Sequence, residues 1–196
     1  MKNVMLIGIG PHSKRIYINC LKKLNVNIKV AVDLESNYAS ISNYLLEVGL
    51  NDTAIWCLPD KYKDNCILPI EYNKKLKNVC DKYKITHIIL STEPKAHNMY
   101  LNFALENNIN ILSDKPITVV KKMQDMNSIE EVHNQYYKLL KKYNPQKCKC
   151  VIMCQRRIHR GYIYVEKLLK DIISKYNIPI TYIDIYHCDG NWENAA

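Results

Sequence analysis

The sequence predicts an α/β fold, a doubly wound, mostly parallel sheet with helices on both faces. Three observations carry this. Short apolar runs alternate with helical patterns almost without exception along the 196 residues. The first run, Val4 to Ile9, is apolar at successive positions, the pattern of a strand buried on both faces. It feeds into a turn, Gly8-Ile9-Gly10, that opens directly onto a helical pattern.

The elements follow in order. Ser13 to Leu24 reads as a helix, with Ile16, Tyr17, Cys20, Leu21 and Leu24 on one face. Ile28 to Val32 is a second strand, ending at Asp33, and Tyr38 to Val48 a helix. Ala54 to Leu58 is a third strand; Asp60 to Leu68, flanked by Pro59 and Pro69, is irregular. Glu71 to Tyr83 is helical, His87 to Leu90 a strand with the polar end Ser91-Thr92-Glu93-Pro94, and Lys95 to Asn107 a helix. Asn110 to Leu112 and Cys150 to Cys154 are strands, with a helix from Ser128 to Tyr143 between them and another from Gly161 to Tyr176 after them. Ile180 to His187 alternates again and reads as a last strand.

Composition narrows the classes. Hydrophobic residues make up 47% of the chain, enough for a sizeable core and against disorder. The net charge of +9 raises the question of nucleic acid. The lysines are dispersed in pairs over helices, Lys22-Lys23, Lys74-Lys75, Lys121-Lys122 and Lys141-Lys142, and no nucleic-acid module is present; solvated helix faces are expected instead. No apolar run approaches a membrane span, and the N-terminus runs into a strand rather than toward a small-residue cleavage site. A cytoplasmic protein with reduced thiols is expected. Cys148, Cys150 and Cys154 lack an obvious fourth ligand for zinc, so they are expected as buried thiols and no metal site is assigned.

The turn Gly8-Ile9-Gly10-Pro11-His12-Ser13 carries the first two glycines of the G-x-G-x-x-G dinucleotide fingerprint, with Ser13 in the place of the third. Those glycines allow a tight turn and close approach of the backbone to a pyrophosphate, and the helix N-terminus that follows offers free N–H groups to it. His12 is placed either to donate to a phosphate or to pack. Asp33 lies twenty residues after Ser13 at the end of the second strand, where a carboxylate can accept ribose hydroxyls and repel a 2′-phosphate. This favours NAD, with NADP possible because Ser36, Asn37 and nearby lysines can assist a phosphate. A turn-capping aspartate is the plainer alternative.

The segment THIILSTEPKAHNMYLNFALENNINILSDKPIT, Thr86 to Thr118, adds a second set of motifs. Ser91, Thr92, Glu93 and Pro94 form a loop with His97 after it, Asp114-Lys115-Pro116 follows a short strand, and Gln155-Arg156-Arg157 follows the sixth. In this order and spacing the chain, to about Tyr176, resembles the Gfo/Idh/MocA oxidoreductases, the glucose–fructose oxidoreductase and inositol dehydrogenase family. The resemblance implies an N-terminal NAD(P)-binding Rossmann domain and hydride transfer between nicotinamide and a hydroxyl-bearing carbon of a sugar, cyclitol or related polyol. It implies Lys115, from the family's E-K-P triplet, as the catalytic residue beside the nicotinamide ribose, buried and with its pKa lowered, and a cis bond before Pro116. Asp114 replaces the usual glutamate. Gly8, Gly10, Pro11, His12, Ser13, Asp33, Ser91, Thr92, Glu93, Pro94, His97, Asp114, Lys115 and Arg156 form the expected cofactor-binding set. Residues 1–120 would form the nucleotide-binding core, 121–179 its completion, and 180–196 the first strand of a truncated C-terminal α+β domain. The full-length form would be a homo-oligomer, and this chain alone incomplete for turnover. A non-catalytic NAD-binding sensor or scaffold shares the fold and remains the alternative.

Overall fold

The computed structural model describes residues 2–120, 126–154 and 158–184. Six strands form one parallel sheet: β1 (Asn3–Ile7), β2 (Asn27–Leu34), β3 (Ala54–Leu58), β4 (His87–Leu90), β5 (Asn110–Ser113) and β6 (Cys150–Ile152). Their spatial order is β3-β2-β1-β4-β5-β6, and every neighbouring pair is parallel. This is the doubly wound arrangement expected, with its strand order reversing between β1 and β4. Six helices accompany the strands among the described residues. A π-helical stretch, Ser13–Ile18, runs into α1 (Asn19–Lys23); then come α2 (Tyr38–Glu47), α3 (Ile70–Lys82), α4 (Pro94–Glu106), α5 (Met126–Lys142) and α6 (Arg160–Tyr176).

The alternation of side chains along each strand produces two cores. Met5, Ile7, Val30, Val32 and Ile88 face one way and pack with Leu76 and Cys80 of α3 and the buried face of α4. Val4, Leu6, Ile28, Ala31 and Ile89 face the other and pack with Tyr17, Ile18, Leu21, Ile41 and Leu45. The helix α4 is buried from His97 to Leu105 without a break, so its polar members must find partners inside. Asn102 does so, donating to Asn98 and accepting from Lys142 of α5 at 2.6 Å. Cys148 is buried and Cys150 packs against the same core, as expected for apolar thiols; burial pushes both thiols up.

The first four helices return to the sheet through one repeated joint. A residue in the left-handed region follows each helix: Asn25 (φ 52°), Gly49 (72°), Lys84 (50°) and Asn108 (54°). The next residue, always aliphatic, donates its N–H five residues back: Val26 to Leu21, Leu50 to Leu45, Ile85 to Cys80, Ile109 to Ala104, at 2.8–2.9 Å. This is the Schellman closure, which satisfies the last helical carbonyls and packs an aliphatic residue against the helix end.

The described chain divides into two units, residues 1–153 and 154–196. In the second, α6 is capped at its start by His159, whose ring accepts from the Gly161 N–H, and at its end by Asn177 at φ 51°. The strand expected from Ile180 to His187 is not formed over its described part, 180–184, where the backbone is irregular and Tyr182 is 80% exposed. Apolar alternation stabilises a strand only where a neighbour supplies hydrogen bonds and cover. Residues 185–187 lie outside the described set. Among the described residues no helix is long and apolar enough to cross a membrane.

Lys84 is the one residue in the four joints that is neither glycine nor asparagine, and a side chain costs about 1–2 kcal/mol in the left-handed region. Lys84→Gly is expected to raise stability by about 1 kcal/mol after the added freedom of the unfolded chain is subtracted. Urea unfolding checks this; an unchanged or lower midpoint would refute it.

Candidate functional site

The site is laid out by strand register. Ile7 pairs with Val32 on one side and Leu90 on the other, and Leu90 pairs with Ser113. The next residues, Gly8, Asp33, Ser91 and Asp114, therefore stand level in one row at the carboxyl ends of four adjacent strands. Gly8 donates to Val32, Ser91 to Ile7 and Asp114 to Leu90, at 2.8–2.9 Å, so the row is still tied to the ladder.

Gly8 has φ +87°, and a Cβ there would lie 2.5 Å from the Ser91 carbonyl oxygen and 2.7 Å from the Thr92 nitrogen. The glycine is required by the neighbouring β4 loop as well as by the turn. Gly10 differs: a Cβ built on it meets no atom within 4 Å. Nothing among the described residues requires glycine there, whereas a ligand approaching the backbone closely would. Ser13, in the first turn of the helix behind the glycine turn, is fully buried. Its small side chain fits the tight helix–strand packing expected of the third fingerprint position, but its hydroxyl has no hydrogen-bond partner among the described residues. The wide π-helical stretch from Ser13 to Ile18 begins at this residue.

Asp33 closes the turn. Its Oδ2 accepts from the Ile9 N–H at 2.7 Å; its Oδ1 accepts from the Leu34 N–H and the Asn37 side chain, both at 2.8 Å. The carboxylate thus caps the turn, as the plainer sequence reading held, and also lines the cleft. A carboxylate offers about four acceptor sites. Three are filled, so one ribose hydroxyl, rather than two, can be accepted without displacing a protein donor.

Asp114 gathers three elements. Tyr17 donates to its Oδ1 at 2.5 Å, Ser91 donates to its Oδ2 at 2.9 Å, and His12 Nε2 lies 3.7 Å from the same oxygen. The His12 ring also meets Tyr17 edge-on, with centroids 5.7 Å apart. Burial first, and then the bond to Asp114, hold the Tyr17 phenol well above its ordinary pKa, so it stays a donor. Sequence reasoning placed Tyr17 only on an apolar helix face. The available signal was its hydroxyl, which needs a partner wherever the ring is buried.

Two expectations are corrected. Lys115 is exposed and does not line the cleft, so the burial expected of it is absent. The chain leaves the ladder after Asp114, and the next fixed point is the Pro116 carbonyl. The peptide between Lys115 and Pro116 is cis, as the resemblance implied. His97 was expected to assist cofactor binding, but it is completely buried and open contact with a ligand is closed to it. Its Nδ1 lies 2.7 Å from the Pro116 carbonyl and its Nε2 3.2 Å from that of Thr92, so it joins the two loops that flank the row. Pro94 occupies the first turn of α4, where its missing N–H costs nothing. Arg156 lies outside the described residues.

These elements bound a cleft of about 580 Å³ at the carboxyl edge of the sheet. One side is formed by Gly8, Ile9, Gly10, Pro11 and His12, the other by Ser91, Thr92 and Glu93, with Asp33 and Asn37 at one end. It lies where the strand order reverses, the place where open parallel sheets bind ligands. Among the described residues no cluster of ligating side chains could hold a metal ion. The open backbone at Gly10 beside a helix start, with a carboxylate held at the end of β2, fits a dinucleotide: N–H groups for a pyrophosphate and an acceptor for a ribose hydroxyl.

Two substitutions test these contacts. Gly8→Ala is expected to destabilise the fold by about 3 kcal/mol, combining a left-handed alanine with a backbone clash at Ser91. Tyr17→Phe is expected to cost about 2 kcal/mol, the contribution of a hydrogen bond to a charged acceptor. Both are read by urea unfolding; a loss under about 0.5 kcal/mol in either would remove the corresponding contact from the account.

No protein-family model matches the chain. No curated protein matches it. Solved structures do. The myo-inositol dehydrogenase of Lactobacillus casei, in complex with NAD(H) and myo-inositol, is 15% identical, with TM-score 0.58 over 88% of this chain and 42% of that one. The WlbA dehydrogenase of Bordetella pertussis, with NADH and UDP-GlcNAcA, is 13% identical, with TM-score 0.58 over 87% and 40%. The WlbA (WbpB) dehydrogenase of Thermus thermophilus, with NAD and α-ketoglutarate, is 14% identical, with TM-score 0.55 over 87% and 47%. The chain thus spans less than half the length of these structures. At these identities the likeness establishes the fold, and that fold is the one the resemblance to the Gfo/Idh/MocA oxidoreductases implied.

Proposed function

We propose that this chain is the cofactor-binding part of an NAD-dependent oxidoreductase acting on a hydroxyl-bearing carbon of a sugar, cyclitol or related polyol. The observation that carries the reading is the cleft at the strand-order reversal. There the unobstructed Gly10 backbone meets a helix start, and Asp33 is fixed at the end of β2 by three donors. The solved structures that share the fold hold NAD or NADH with myo-inositol or a UDP-sugar acid in two of the three cases described, which supports the choice of cofactor and substrate class.

The bound nicotinamide would accept or return the hydride. The chain's own residues divide the remaining work. The Gly8–Gly10 turn and the helix start receive the pyrophosphate. Asp33 accepts a ribose hydroxyl and disfavours a 2′-phosphate, so NAD is preferred with NADP possible. Ser91, Thr92 and Glu93 form the opposing wall, while Ser13, His97 and Asp114 position the backbone around it. Lys115, assigned through the resemblance, would hold and release a proton at Nζ beside the reacting hydroxyl. Arg156 is assigned to the cofactor side on the same ground. We place the protein in the cytoplasm, with a homo-oligomeric full-length form and no nucleic-acid partner.

The exposure of Lys115 favours a second reading, a non-catalytic NAD-binding module, since catalytic lysines are commonly desolvated. Titration of the chain with NADH and NADPH, followed by nicotinamide fluorescence, tests both. Saturable binding with NADH favoured is expected; binding of neither would overturn the dinucleotide assignment. Lys115→Ala is expected to leave NADH affinity within roughly threefold, below one lost hydrogen bond, and to abolish turnover in the full-length protein. Retained turnover would remove Lys115 from the catalytic role, and NADH binding without turnover in the full-length wild type would move the second reading ahead.

A further inference from the structure

Beside Asp33, the cleft is lined by Asn37, the last residue of the short 3-10 turn Glu35–Asn37, and by Lys63 and Asp64 of the chain after β3. Two side chains on that turn, Ser36 and Asn37, are the natural donors to a 2′-phosphate. Neither is free. Asn37 is bonded to Asp33. Ser36 gives both its donors to a second carboxylate, Asp60: its N–H to Oδ2 at 3.0 Å and its hydroxyl to Oδ1 at 2.5 Å. Asp60 opens the 3-10 turn Asp60–Tyr62 that follows β3, so this pair ties the ends of β2 and β3 together.

We infer that Asp60 is a second determinant of cofactor choice, acting with Asp33 to favour NAD by holding the Ser36 donors away from a 2′-phosphate and adding a negative charge behind them. This rests on the NAD-binding reading above. Three observations support it. The Ser36 bonds hold the Asp60 carboxyl below its usual range, so it is anionic at neutral pH. The half-buried Cys57 thiol, on β3 opposite Asp33, is raised by burial and then by Asp33, Glu35 and Asp60, which marks the locality as negative. Lys63, a cation on the cleft wall, has Asp60 as a neighbouring anion. Loss of the Asp60 charge would therefore release the Ser36 N–H, the Ser36 hydroxyl and Lys63 together, a set suited to a phosphate monoester.

The test is a titration of wild type, Asp60→Ala and Asp60→Ala/Ser36→Ala with NADH and NADPH. The expected result is a fall of roughly tenfold in NADH preference for Asp60→Ala, caused by tighter NADPH binding, with NADH affinity little changed. The double variant should return most of the gain. An unchanged ratio, a parallel loss for both nucleotides, or a gain that survives removal of the Ser36 hydroxyl would overturn the inference while leaving NAD binding intact. Failure of wild type to bind either nucleotide would overturn the inference and the NAD-binding reading together. Circular dichroism of each variant separates a lost selectivity device from a lost fold.

Discussion

The constraint on which the site depends is the contact between the Gly8 backbone and the Ser91–Thr92 backbone. β1 and β4 are neighbours in space but are separated by two strand–helix units in the chain. Because they run parallel and in register, their first loop residues meet at the same height. A side chain at Gly8 would force the loops apart. Beyond this point one loop turns into the helix leading to α1 and the other into α4, on opposite faces, and the cleft is the space they leave. Its position is therefore a product of topology, and its width of one missing methyl group.

Around this contact, carboxylates do the fastening. Asp33 joins the β1 turn to the β2 turn, Asp60 joins the β2 turn to the β3 turn, and Asp114 joins the β5 end to β4 and to the first helix. Each is an anion receiving two or three hydrogen bonds, stronger than bonds between neutral groups. His97 performs the same task from beneath, between the Thr92 and Pro116 carbonyls. Three of the chain's 19 acidic residues thus stand where loops must be held to one another.

Much of this was legible in the sequence. The strands are buried on both faces, so they read as continuous apolar runs, and the helices carry one apolar face; these local patterns are enough to locate every element of the sheet. Gly8, Gly10 and Asp33 were legible because a dinucleotide turn fixes their spacing. Tyr17 and Asp60 were not. Tyr17 meets Asp114 across 97 positions, and Asp60 meets Ser36 across 24, so no local pattern announces either bond. Lys115 shows a different gap. A motif transfers the identity of a residue, but its burial depends on whatever packs over it. The alternation from Ile180 likewise describes a chain able to pair, and pairing requires a neighbour.

The four helix-to-strand joints give the two edges of the sheet unlike characters. At the amino edge a single closure recurs, with the same bonds and an aliphatic residue in the same place. At the carboxyl edge the loops differ in length, in capping and in the groups they present. Change can accumulate at the second edge without disturbing the first, since the standard joints deliver each strand to its position whatever follows it. Such a scaffold is suited to the trading of ligand preferences over evolutionary time, because the joints that deliver the strands and the loops that meet the ligand have no residues in common.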